Sequence, residues 1–356
     1  MSDPRPTLSS RVGAAPAPVV PEHPEVARWR PAVPGDLDEL LAFHTDVARA
    51  DHPNWVESRD EILQAFELSH VDPRRDTLLG FAADGRILAS GSVVVPPGQE
   101  TLVRAIVLGA VRPEARGRGI GRLLLGWELA RAREQLAASE KTLPGWIMAY
   151  AEERAPDAQA LLARAGLELR RHFFTLERDL ALPDEVGAAA GRSDVPGGDV
   201  GAFTILPWSA EWTESTRLAR NAAFVDHWGS QSVGTESWAR IVGSEQFAPS
   251  LSFVAVAPRD GRDEVVGFVL ALRNEQDWAG QGFSSSYVQL VGVVRPWRGR
   301  GVARRLLGRH LEACRAQGLE KATLDVDAES PTGALGLYTG LGFGVAHSHR
   351  SYVREY

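Results

Sequence analysis

Apolar residues along this chain follow two spacings, strand-like alternation and a three-to-four-residue helical step, and the same succession of the two is written twice. In the first half, strand-like runs cover residues 26–31, 77–82, 86–95, 102–111, 146–151 and 169–180. Helical spacing covers 35–49, 59–68, a stretch ending near 138, and 157–165. The runs 77–82 and 86–95 flank Ala83-Asp84-Gly85, which predicts a hairpin turn. Residues 181–202 lose both spacings and read as a linker. The succession then restarts, with strands over 203–206, 251–257, 265–273, 287–294, 321–327 and 343–356 and helices over 213–224, 235–244, 301–317 and 332–340. Residues 1–25, rich in Pro, Ala and Ser, carry no period and read as a disordered leader.

Three local landmarks test the repeat. Arg116 and Arg298 lie 182 positions apart, Gly166 and Gly342 lie 176 apart, and the Asp-His pairs at 51–52 and 226–227 lie 175 apart. Similar offsets for three unrelated features imply a tandem duplication. The expected domains are 26–180 and 203–356.

Composition narrows the function classes. The 356 residues, 44% hydrophobic and 24% charged, are those of a globular chain with room for two domains. A net charge of −7 argues against a general nucleic-acid binder. The single Cys314 falls on the apolar face of a helical pattern with Val302, Leu306, Leu307 and Leu311, so it reads as core. One cysteine leaves no disulfide framework, and no metal site is expected. No apolar run reaches membrane-spanning length, so no membrane partner is expected and the cytoplasm is the default setting.

Each landmark arginine opens a glycine-rich turn between a β-branched run and a long helix. The turns read Arg116-Gly117-Arg118-Gly119-Ile120-Gly121 and Arg298-Gly299-Arg300-Gly301-Val302-Ala303. A turn of this kind at a helix N-terminus cradles a pyrophosphate. A dinucleotide fingerprint would need glycine where Arg122 and Arg304 stand, and a nucleotidase loop would end in Gly-Lys-Ser/Thr, which neither copy has. The remaining pattern resembles the coenzyme A signature of the GNAT superfamily of N-acetyltransferases, and the element order in both halves is similar to that fold. A tandem pair of this length is similar to the mycothiol synthase group of two-domain actinobacterial acetyltransferases. The resemblance implies an α/β (α+β) class with two tandem domains, each a mixed, mainly antiparallel central sheet flanked by helices. It also implies acetyl-CoA as cofactor and a small-molecule amine as acceptor.

Carried over residue by residue, the resemblance places the backbone of Val293, Val294 and Arg295 against the cofactor's arm. It places Arg298, Gly299, Arg300, Gly301, Val302, Ala303 and Arg304 at its phosphates, with Val111, Arg116, Gly117, Arg118, Gly119, Ile120 and Gly121 as the first copy. Tyr338, in Ala334-Leu-Gly-Leu-Tyr-Thr-Gly-Leu-Gly-Phe343, matches the family's general acid. Leu162 takes its place in the first half and has no proton to give, so the second domain is the expected catalyst. Where the family often has Asn before this helix, Ser330 stands instead as a polar contact or as a helix N-cap ahead of Pro331. The strand 287–294 lacks the carboxylate that many members use as a base. His227 is a candidate base or acceptor contact, Asp226 and Asp327 are candidate substrate contacts, and the base stays unassigned. An amino-group acceptor on a protein terminus or aminoglycoside, and a non-catalytic acyl-CoA sensor, are the competing readings.

Overall fold

The computed structural model describes residues 5–51, 57–183, 203–259, 261–330 and 333–356. His52, most of the expected linker (184–202), Pro331 and Thr332 lie outside the described residues. The chain forms two compact units, residues 1–171 with 349–356 and residues 172–348.

In unit 1, strands β1 (Arg28–Arg30), β2 (Thr77–Phe81), β3 (Ile87–Val94), β4 (Val103–Val111) and β5 (Gly145–Glu152) lie in sequence order. They pair antiparallel except for the parallel β4–β5 ladder. Helices α2 (Leu37–Asp51) and α3 (Arg59–Phe66) bury Leu40, Phe43 and Ile62 against Leu79, Phe81 and Ile87. Helix α5 (Ile120–Ala137) buries Ile120, Leu124 and Leu136 in a separate core with Val93, Val107 and Ile147. The short α4 (Pro73–Asp76) and α6 (Pro156–Arg164) complete the first copy.

Unit 2 repeats the plan. Strands β7 (Thr204–Pro207), β8 (Phe253–Arg259), β9 (Arg262–Leu272), β10 (Ser285–Val293) and β11 (Lys321–Asp327) are again antiparallel apart from the parallel β10–β11 ladder. Helices α7 (Thr213–Ala223) and α8 (Thr235–Gly243) meet the sheet through Ala219 and Trp238, and α10 (Val302–Ala316) through Val302, Leu306, Leu307 and Leu311. Cys314 is buried in that same cluster, where loss of solvent pushes its thiol up to about 12.

Four features depart from the sequence reading. The leader is not structureless: Thr7 caps a one-turn helix α1 (Leu8–Val12), and Leu8 and Val12 enter the unit 1 core. One apolar i, i+4 pair is too short to register as a period yet enough to bury. Residues 274–286, expected as loop, contain α9 (Glu275–Gln281), capped by Asn274 and ended by Gly282 in the left-handed region. Helix α11 (Ala334–Thr339) follows Gly333 and starts later than the expected 332.

The closing strands also differ from the expected domain limits. Strand β6 (Glu168–Asp179) ends the first repeat, but its residues 173–179 pair with β11 of unit 2. Strand β12 (Gly344–Glu355) ends the second repeat, but its residues 349–355 pair with β5 of unit 1. Arg354 donates to the carbonyl of Ala165 at the end of α6, and Arg178, 176 positions earlier, lies against Gly342 at the end of α11. Each unit is therefore closed by the other repeat's last strand.

Candidate active site

The site begins where two strands part. In unit 2 the parallel ladder runs from Ser285↔Lys321 to Val288↔Leu324, while β10 continues against β9 to Val293↔Gly267. The register with β9 shifts between Val288 and Leu290, so Gln289 is an extra residue, a bulge at the fork. Val294 donates its N–H to the Val266 carbonyl at 3.0 Å. Successive peptide groups of a strand face opposite edges, so Val293 turns its N–H and C=O to the edge that β11 has left. Of the three expected backbone positions, Val293 is thus the one whose N–H faces the vacated edge, its carbonyl accepting from Arg298 Nε. The Val294 amide is committed to β9, and Arg295 starts a 3-10 turn, Arg295–Trp297.

The glycine turn follows. Gly299 (φ 74°) and Gly301 (φ 76°) sit in the left-handed region, and a Cβ on either would meet no atom within 4 Å. The first helical bond of α10 runs from the Arg305 N–H to the Gly301 carbonyl. The amides of Gly301, Val302, Ala303 and Arg304 therefore face out of the helix N-terminus, where its dipole is positive. Two permissive glycines, open space beside them and outward-facing amides fit a diphosphate.

The signature arginines divide by role. Arg298 donates from Nε to the Val293 carbonyl (3.2 Å), and its other nitrogens reach Asp226 (3.1 Å) and the Ala223 carbonyl (2.7 Å). Arg116 makes the same clamp in unit 1, to the Val111 carbonyl (2.9 Å) and both oxygens of Asp51 (2.7 and 2.8 Å). The expected substrate contact Asp226 is thus half of a repeated structural pair that ties the turn to the helix before it. Arg304 donates to the Gly340 carbonyl at 2.8 Å and joins α10 to α11, while Arg300 stacks on Trp297.

Tyr338 lies on α11 with its ring against Phe343, and the residue is 5% exposed. Burial pushes its hydroxyl pKa up, and no described group hydrogen-bonds it. The carbonyls of Tyr338 and Leu162 each accept from the residue five positions on, Phe343 and Leu167, at 3.1 Å. The two residues are structural equivalents, as the repeat offset predicts.

The remaining expected contacts have partners within the protein. His227 stacks its ring on Phe224. Asp327 is buried and accepts the Glu329 amide at 2.9 Å, and the Ser330 amide donates to the Asp327 carbonyl, so this pair shapes the turn after β11.

Sequence reasoning missed a polar group at the fork. Asp325, the first β11 residue past the parallel ladder, accepts from Thr175 on β6 (2.6 Å) and from Tyr287 on β10 (3.1 Å). Burial first, then the Asp325 charge and its hydrogen bond, then Tyr338, hold the Tyr287 hydroxyl well above the usual phenol value. No sequence signal joins these residues, because the contact spans 150 positions on one side and 38 on the other.

Unit 1 preserves the scaffold without these groups. Its parallel ladder ends at Ile106↔Met148, and Gly117 (φ 75°) and Gly119 (φ 98°) shape the same turn before Ile120 and Gly121. Arg118 is instead engaged by Glu25 (2.7 Å), and its carbonyl by His23 (3.0 Å).

Comparison with known proteins agrees with this geometry. The model of the acetyltransferase (GNAT) family matches residues 40–165 and again 214–343. A mycothiol acetyltransferase of Tsukamurella paurometabola is 30% identical over 286 residues, spanning 78% of this chain and 88% of that one. One from Gordonia bronchialis is 29% identical over 333 residues, spanning 92% and 95%. A GCN5-related N-acetyltransferase from Sphaerobacter thermophilus is similar in structure with a TM-score of 0.65 at 26% identity, over 92% of this chain and 95% of that one. A tandem GNAT protein of the clavulanic acid pathway has a TM-score of 0.63 at 17% identity, over 92% and 98%, a likeness of fold alone. Among the described residues no helix is long and apolar enough to cross a membrane. With two family matches, a forked sheet and a glycine turn in each copy, this chain belongs to the acetyltransferase (GNAT) family as a tandem N-acetyltransferase whose cofactor is acetyl-CoA.

Proposed function

We propose that the protein acetylates the primary amine of a small molecule and that unit 2 performs the transfer. The observation that carries this reading is the equivalence of Tyr338 and Leu162: one fold position, with a proton donor in unit 2 and a hydrocarbon in unit 1. The mycothiol acetyltransferase names of the relatives support a small acceptor.

Acetyl-CoA supplies the acetyl group already activated as a thioester. The outward amides of Gly301 to Arg304 bind its diphosphate, aided by the positive end of α10. The open edge of β10 at Val293 orients the arm and polarises the acetyl carbonyl from a backbone N–H. The acceptor ammonium gives one proton to solvent, and its neutral nitrogen bonds to the acetyl carbon as the C–S bond breaks. Tyr338 Oη, which keeps its proton at neutral pH because burial raises its pKa, protonates the departing sulfur. It regains through solvent the proton that the nitrogen sheds as the amide forms. In unit 1 the turn at Gly117–Gly121 retains the backbone shape, while Arg118 is held by the leader segment. We assign that unit a structural role.

The test is Tyr338→Phe, which keeps the ring and removes the proton. Turnover should fall roughly 100-fold, with the coenzyme A dissociation constant within about twofold of wild type. Undiminished turnover removes Tyr338 from the mechanism.

A further inference from the structure

We propose that the carboxylate of Asp325 anchors the acceptor's incoming ammonium group, which gives up one proton to solvent before its nitrogen attacks, and thereby selects small cationic primary amines. This deepens the transfer reading above and rests on it.

Three observations converge on Asp325. The first is position: it is the β11 residue at which the parallel ladder with β10 has just ended, so it stands at the mouth of the fork, level with the bulge at Gln289. Tyr287, which binds it, also has Tyr338 as an electrostatic neighbour, so one phenol interacts with both the carboxylate and the general acid.

The second is charge. Thr175 Oγ1 donates to one carboxylate oxygen and Tyr287 Oη to the other, which fixes the plane of the group. Two hydroxyl donors leave about half of a carboxylate's lone-pair sites unfilled. Among the described residues no lysine, arginine or histidine pairs with Asp325. The side chain is exposed, so an incoming amine reaches it without crossing the core. An oriented, accessible anion without a cation of its own fits an alkylammonium.

The third is asymmetry between the repeats. Val111 and Ile106 pair with Ala89 and Val94 in unit 1, as Val293 and Tyr287 pair with Gly267 and Leu272 in unit 2. The bulge at Gln289 accounts for the one extra residue. Ile106 therefore occupies the Tyr287 position. Two residues past their parallel partners, Met148 and Thr323, stand Tyr150 and Asp325, and their antiparallel partners are Ser351 and Thr175. Unit 1 thus has Ile106, Tyr150 and Ser351 where unit 2 has Tyr287, Asp325 and Thr175. The anion is present only in the copy that also carries Tyr338.

The experiment is steady-state kinetics of full-length wild type, Asp325→Asn and Tyr287→Phe with acetyl-CoA and a panel of an alkylamine, an amino sugar and an aminoacyl amide. For the best amine, Asp325→Asn should raise KM roughly 10- to 100-fold, as expected for loss of a charged hydrogen bond. The KM for acetyl-CoA should stay within about twofold, and coenzyme A should shift the melting temperature as it does in wild type. Tyr287→Phe, which frees one carboxylate oxygen but keeps the charge, should raise the amine KM less than Asp325→Asn does. Asp325→Asn enzyme that keeps the wild-type KM for the amine overturns the anchor and leaves the transfer reading standing. Wild-type enzyme that acetylates none of the panel overturns the transfer reading itself.

Discussion

Two glycines in each signature turn take left-handed backbone angles, φ 74° and 76° in unit 2 and 75° and 98° in unit 1. An L side chain in the left-handed region costs about 1–2 kcal/mol, so Gly301→Ala strains the turn and places a methyl where the diphosphate would approach. We expect Gly301→Ala to raise the KM for acetyl-CoA at least tenfold. Gly119→Ala in unit 1 should lower the melting temperature yet leave both kinetic constants unchanged. Parallel kinetics of the two variants check this, and equal losses of activity would place a working cofactor site in unit 1 as well. Neighbouring residues favour the unequal outcome: Arg118 is paired with Glu25, a carboxylate that repels phosphate, while Arg300 stacks on Trp297. The turn and the tyrosine were legible in sequence because both are contiguous motifs. Asp325 was not, since its importance lies in hydroxyls from two other strands.

Helices α5 and α10 open with the same turn but bury opposite chemistry at one position. Glu128 and His310, 182 apart like the signature arginines, are both buried. Glu128 Oε1 has no partner among the described residues, and a Cβ on Gly109 would come within 2.7 Å of the carboxyl, so glycine makes room for it. Burial raises its pKa well above the usual carboxylate value, disfavouring its charged form in the folded chain. His310 Nδ1 donates to the Leu251 carbonyl, and burial lowers its pKa from 6.5 to about 4, so it folds as a neutral base. The unfolded chain protonates His310 from about pH 6.5 downward while the folded chain waits until about pH 4. Unit 2 therefore loses stability across that window, by about 3 kcal/mol at most. Glu128 acts in reverse: above the ordinary carboxylate range the unfolded chain ionises it and unit 1 weakens as pH rises. Urea unfolding between pH 4 and 8 should show an acid-side loss that His310→Gln reduces, and Glu128→Gln should stabilise the protein at pH 8. These helices were legible from their apolar spacing, and α9 was not, because its seven residues carry no apolar period and owe their turn to the caps Asn274 and Gly282.

At the scale of the whole chain, the duplication is plain from three sequence offsets, but which closing strand completes which unit is not. Strands β6 and β12 are copies of one another, with Arg178 and Arg354 meeting equivalent helix ends, so their patterns fit either sheet edge equally. Only the fold resolves the choice, and it gives unit 1 the last residues of the chain. Removing residues 349–356 should therefore damage unit 1 rather than the repeat that contains them in sequence. Tyr352 and Val353 are 5% and 1% exposed, and losing two such side chains costs roughly 3–6 kcal/mol, before counting the ladder to β5 and the Arg354 bond to the end of α6. Hydrogen exchange on the chain ending at Ser348 should show lost protection in β4 and β5, with β8 to β10 protected as in the full chain. Protection lost chiefly from β10 and β11 would mean that each repeat closes its own sheet in solution.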